Sequence, residues 1–188
     1  MSTQAPAAGT GLPAVTQYAE VAVPGAVIGL VAGAFAAGVA AIAGLPGVQV
    51  ATIAAGLGIP LALLGAGYCV LLALGRFGVG AVGPVAVYWV IGFPLARLAD
   101  EYAVAQVLGN DTVLREPLLS FLAFQAMLSI GFAIGFLWLH ERLAPHWLVR
   151  IRGHNGVAAG LVQRYLQQVE ALDRRRAAAP KRRRRTSS

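Results

Sequence analysis

Between Glu20 and Arg76 the chain runs for 55 residues without a charged side chain, and two more uncharged windows, Arg76 to Arg97 and Glu116 to Glu141, hold 20 and 24 residues. A hydrocarbon core about 30 Å thick is crossed by about 20 residues of helix at a rise of 1.5 Å each. The first window is therefore long enough for two spans and each of the others for one. Of the 188 residues, 57% are hydrophobic and 12% are charged, whereas a soluble domain carries about 25% charge. A soluble globular domain is excluded.

The expected fold class is all-α: an integral membrane four-helix bundle with a cytoplasmic amphipathic C-terminal helix and a disordered basic tail. The spans fall at about 23–45, 48–74, 79–98 and 117–139, inside a bundle covering 23–140. Leu45-Pro46-Gly47 and Gly75-Arg76-Phe77-Gly78 read as turns. Pro24 and Pro117 suit first helical turns, and Pro60, near the middle of its span, predicts a kink. The stretch 97–116 is the sizeable polar loop, its first part continuing as helix to Gly109. Residues 1–22 contain Pro6, Gly9, Gly11 and Pro13 but no basic residue. A secretory signal needs a positive n-region, so the first apolar stretch reads as a retained span behind a disordered N-terminal tail.

Beyond the last span, 141–176 reads as interfacial and amphipathic helices, with Trp147 among His146, Arg150 and Arg152 as a membrane-interface segment. Gly153 to Gly156 breaks the chain. In 157–176 the apolar positions Ala158, Val162, Tyr165, Val169 and Leu172 step by four and three, a short heptad-type seam. Val162, Tyr165, Val169 and Leu172 form the expected docking face for a cytoplasmic partner or a second copy, with Arg164 on the solvated side. Residues 177–188 form the basic tail.

Basic residues orient the bundle. With four spans, Arg76 and everything from Arg142 onward share a side with both termini, which gathers 13 of the 15 Lys and Arg residues. The positive-inside rule makes that side cytoplasmic. Arg-over-Lys usage beside much Ala and Gly fits a GC-rich bacterial genome, so the expected location is a bacterial plasma membrane, multi-pass, N-in and C-in.

Chemistry is restricted by what the spans lack. One cysteine, Cys69, gives neither a disulfide framework nor a CxxC site. No ionisable side chain occupies the central part of any span, so the groups that usually mark an ion path are missing and a proton- or sodium-coupled carrier has nothing to work with. His140, His146 and His154 are six and eight residues apart, which does not bring two imidazoles to one helix face. Asp100, Glu101 and Asp111 read as solvated loop acids, and Gln125 as a hydrogen-bonding cross-link between helices. No catalytic residue, metal site or cofactor is expected.

Two features point to partners. Gly25, Gly29 and Gly33 recur every fourth residue and are continued by Ala37; Ala54, Gly58 and Ala62 do the same in the second span, and Gly131 and Gly135 in the fourth. Helices in lipid associate by close backbone approach, for which small residues at this spacing are the signature. These faces either pack the spans of this chain together or dock a helix of another membrane protein. In the tail, Arg174, Arg175, Arg176, Lys181, Arg182, Arg183, Arg184 and Arg185 face no acid after Asp173. They suit anionic lipids of the cytoplasmic leaflet or an acidic partner. No aromatic residues interleave with them for base stacking, so nucleic acid is not the expected partner.

In layout, four spans from Val23 to Leu139 and an Arg-rich tail from Arg174, the chain resembles the small four-span actinobacterial proteins that accompany lipid-import complexes of the mammalian-cell-entry (Mce) type. That resemblance implies a non-catalytic accessory or stabilising subunit beside permease-like proteins. A small stand-alone lipid carrier or flippase, acting as an oligomer, is the alternative. In either case an impermeant thiol reagent added to intact cells should label a cysteine introduced at Asn110 and miss one at Ser188. Labelling at Ser188 would overturn the orientation.

Overall fold

Among the described residues, proline and glycine punctuate the chain into five helices: α1 (Ala14–Ile42), α2 (Gly47–Ala73), α3 (Val82–Leu108), α4 (Leu118–Ile151) and α5 (Gly156–Ala178). The computed structural model describes residues 13–178. Pro13, Pro46 and Pro117 stand at the N-caps of α1, α2 and α4, with φ between −51° and −56°, values their rings impose. At the other ends Gly44, Gly75 and Gly109 take positive φ (80°, 73° and 67°). In each case the next residue's N–H returns to the carbonyl five residues back: Leu45 to Ala40, Arg76 to Leu71 and Asn110 to Ala105. This is the Schellman arrangement, which satisfies carbonyls that a helix end otherwise strands.

α1 to α4 are long and apolar enough to cross a membrane, and the chain is a multi-pass membrane protein. α4, with 34 residues, is roughly 50 Å long at 1.5 Å per residue and outlasts the hydrocarbon core. The four helices form a ring in which α1 packs on α2, α2 on α3, α3 on α4 and α4 back on α1. α5 lies across the end where α1 begins and where α2 and α4 finish, the terminal end. The other end, the loop end, carries the α1–α2 turn and the 109–117 loop.

Tyr68, Trp89 and Phe136, all fully buried, fill the middle of the ring. Phe136 meets the Tyr68 ring edge-on at 5.2 Å and lies 4.6 Å from Trp89. Tyr88 donates its hydroxyl to the Leu64 carbonyl at 2.7 Å, tying α3 to α2.

The closest packing is between α1 and α2. A methyl group on Gly25 would collide with the Gly65 backbone, one on Gly29 with the backbone of Leu61 and Ala62, and one on Gly33 with Gly58. These helices touch backbone to backbone.

Several boundaries differ from those the sequence suggests. Residues 14–22, expected in a disordered tail, form the first turns of α1, because Gln17 and Glu20 have partners at the terminal end; residues 1–12 lie outside the described part. The segment 141–151, expected as a separate interfacial element, continues α4 without a break. Ala144, Leu148 and Ile151 prolong the buried face of that helix, so burial overrides the polarity of His140-Glu141-Arg142. α3 continues to Leu108 and stops at Gly109, as expected for the first part of 97–116, so Asp100 and Glu101, also read as loop acids, are helical. Lys181 and Arg182 to Arg185 fall outside the described residues.

Gly29→Leu should therefore cost about 3 kcal/mol or more, the upper range for overpacking a core. Val31→Leu, on an exposed position of the same helix, should be near neutral. Thermal melts and size-exclusion profiles of the two purified variants check this; equal behaviour would contradict the close α1–α2 contact.

Candidate functional site

With the hairpin faces of α1 and α2 pressed together, the small-residue positions separate into two groups. Gly25, Gly29, Gly33 and the buried Ala37 face inward, with Ala54 contributing a carbonyl 2.8 Å from the methyl position on Gly33 and with Gly58 and Ala62 opposite. Gly131 and Gly135 on α4 do the reverse: both are exposed, and nothing stands within 4 Å of a methyl group placed on either.

Beside those two glycines an apolar groove of about 660 Å³ opens between α3 and α4. Val85 and Ala86 on α3 and Ala133 on α4 line it, with Ile130, Ile134 and Leu137 along the α4 side. Its polar residues are Glu141 and Arg142. The Arg142 guanidinium sits 4.3 Å from the centre of the Trp138 ring, a cation–π contact at the position where an indole suits a membrane interface.

The terminal end is closed by a polar lock that fastens α5. Asn155 caps α5: its Oδ1 accepts the Ala158 N–H at 2.9 Å. Its amide nitrogen donates to the Gln17 carbonyl and to Glu20 Oε2, each at 2.9 Å. The Trp147 indole donates to the Glu20 carbonyl at 2.7 Å. That carbonyl is the one Pro24 leaves without its helical N–H, since proline at position i deprives residue i−4. Arg164 donates to the Leu72 and Ala73 carbonyls at 3.1 and 2.7 Å, placing its positive charge at the negative end of the α2 dipole.

The α5 seam is consequently divided. Ala158, Leu161 and Val162 are buried and Tyr165 half-buried against the chain's own bundle, while Val169 and Leu172 are exposed. Burial pushes the Tyr165 phenol above its ordinary value, with the nearby Glu141 acting in the same direction. Arg164, expected on the solvated side, instead caps α2. Arg174, Arg175 and Arg176 are exposed on the last turns of α5.

Polar side chains also meet within the bundle. Cys69 Sγ and His140 Nε2 are 3.3 Å apart and both residues are 1% exposed, so they link α2 to α4 and present no nucleophile at a surface. Toward the loop end, Arg97 donates to Asp100 and, at 2.6 Å, to Glu101. Asp100, expected to be solvated, is 2% exposed. It fits against α2 because Gly56 there has no side chain: a methyl group would sit 2.9 Å from Asp100 Oδ1. Gln125 is buried, and its Oε1 has no hydrogen-bond partner. Among the described residues no three His, Cys, Asp or Glu side chains converge as a metal site.

Sequence reading missed the Asn155 cap, the Arg164–α2 contact and the Cys69–His140 pair. A glycine break followed by a helical seam was a usable signal for the first. The other two are long-range and left no local pattern. The chain matches no family model, no curated protein and no solved structure.

Asn155→Ala should release α5. Losing the cap and the amide hydrogen bonds to Gln17 and Glu20, whose carboxylate keeps His154 as a partner at 3.1 Å, should weaken docking by about 2 kcal/mol. That raises hydrogen exchange of α5 amides by about 30-fold, at 1.4 kcal/mol per tenfold, and leaves the α1–α4 amides unchanged.

Proposed function

We propose that this chain is a non-catalytic accessory subunit of a larger membrane complex, which it joins by presenting α4 to a helix of a partner protein. The observation that carries the proposal is the division of the small-residue faces. Those of α1 and α2 are occupied by each other, whereas Gly131 and Gly135 stand open beside the α3–α4 groove. A helix laid there gains close backbone approach at the glycines and van der Waals contact along Ile130 and Ile134, the interactions that hold helices together in lipid.

Layout shared with Mce-type accessory subunits favours a lipid-import complex, and hence a permease-like protein as the partner. The 13-to-2 division of Lys and Arg favours a bacterial plasma membrane with both ends in the cytoplasm. In that orientation Arg174 to Arg176, together with the exposed Val169 and Leu172, meet anionic lipid or an acidic cytoplasmic surface.

The stand-alone lipid carrier is supported by one feature, the Arg142–Trp138 pair at the groove, where a lipid phosphate could be held. A carrier, however, needs a path across the bilayer, and the ring between α1 and α4 is filled by Tyr68, Trp89 and Phe136.

Gly131→Leu with Gly135→Leu should leave the monomer folded and abolish the stoichiometric complex seen by native mass spectrometry of the tagged protein purified in mild detergent. Gly38→Leu, equally open but on α1, should leave the complex intact. Loss in neither, or equal loss in both, would remove α4 as the docking helix.

A further inference from the structure

At the loop end α2, α3 and α4 part around a half-enclosed cavity of about 660 Å³, separate from the α3–α4 groove. Its lining is two-sided. Ile53 of α2 with Phe121 and Phe124 of α4 supply an apolar wall, and Phe124 is 53% exposed on the outside of the bundle. Glu101 of α3, Arg115 and Glu116 of the loop, and Gln125 of α4 supply the polar one.

Three observations define the occupant. Gln125 is 6% exposed, and its carbonyl oxygen is buried with no donor, an arrangement that native proteins resolve with water or a ligand. Glu101 is held in place by Arg97 through one carboxylate oxygen. Finally, the charged side chains lining the cavity are two carboxylates, Glu101 and Glu116, against one guanidinium, Arg115, so the excess charge is negative. Two carboxylates and the undonated Gln125 oxygen stand with one guanidinium, and Gln49, Asn110 and Thr112 complete the polar lining. A headgroup that donates hydrogen bonds from a cation and offers one anion a short distance away complements this set.

We propose that the cavity binds a phospholipid with a primary ammonium headgroup. The ammonium donates to Glu101, Glu116 and Gln125, the phosphate pairs with Arg115, and an acyl chain leaves along Phe121 and Phe124 into the bilayer. The apolar wall selects a lipid over a free amine. Water alone would satisfy Gln125 but would lie against Ile53, Phe121 and Phe124, an apolar wall that an acyl chain covers and water does not.

The full-length protein in detergent, titrated with dioleoyl phosphatidylethanolamine and followed by native mass spectrometry, tests this. Phosphatidylethanolamine should bind about tenfold more tightly than dioleoyl phosphatidylglycerol, and Glu116→Gln, an exposed loop position, or Gln125→Leu should each reduce its affinity about tenfold, as loss of a charge-assisted or buried hydrogen bond does. Phosphoethanolamine without acyl chains should not compete. Equal binding of the two lipids, or an affinity indifferent to Glu116→Gln, would reduce the cavity to an annular lipid contact and overturn the proposal. Competition by phosphoethanolamine at equal concentration would overturn the lipid as occupant.

Discussion

Where Gly25 meets Gly65 and Gly33 meets Gly58, two helix backbones touch with no side chain between them, and the remaining geometry depends on that contact. In lipid there is no hydrophobic force pressing one apolar helix onto another, so surface matching and dispersion carry the association. Glycine removes the obstacle on both sides at once, and the hairpin becomes a rigid plate. From this plate, Tyr68 and Cys69 on α2 reach His140 and Phe136 on α4. α2 and α4 are thereby joined by side chains across the ring, although their backbones are not neighbours.

The terminal end follows a different logic, that of satisfying backbone groups. α1 carries Pro24, which leaves the Glu20 carbonyl without its helical donor, and α2 ends with carbonyls that face the polar region. Trp147, near the end of α4, answers the first, and Arg164 of α5 answers the second. Each donor comes from an element far along the sequence, so the end of the bundle assembles only when α4 has extended beyond the apolar core. That requirement explains why the helix does not stop at His140: its last turns bring Trp147 to the start of α1 and lead into the α5 cap at Asn155.

Four spans, their approximate positions and the small-residue faces were legible because each leaves a local mark: an uncharged window, a proline or glycine at its boundary, a four-residue repeat. The continuation of α4 through His140-Glu141-Arg142 was not, because polarity alone gives no sign that Ala144, Leu148 and Ile151 will find a buried face. Asp100 misled for a related reason. Its charge reads as solvent-facing, and only the pairing with Arg97 and the space above Gly56 make burial possible. The α5 seam was visible, but its acceptor was not: the turns up to Tyr165 serve the chain itself, while Val169 and Leu172 are exposed.

The same ambiguity runs through the small-residue faces, and its resolution carries the functional argument. A run such as Gly25, Gly29 and Gly33 specifies that some backbone will come close, without specifying whose. In α1 the answer lies within the chain, because α2 follows after a turn of few residues and brings Gly58 and Gly65 to matching heights. α4 has no such complement: its neighbours α3 and α1 pack on other faces, with Ala133 and Phe136 turned inward, and Gly131 and Gly135 are left on the outer surface. Glycine inside a helix is destabilising by roughly 1 kcal/mol relative to alanine, a cost that internal packing does not offset at these two positions. A helix of a second protein approaching as closely as α2 approaches α1 would offset it.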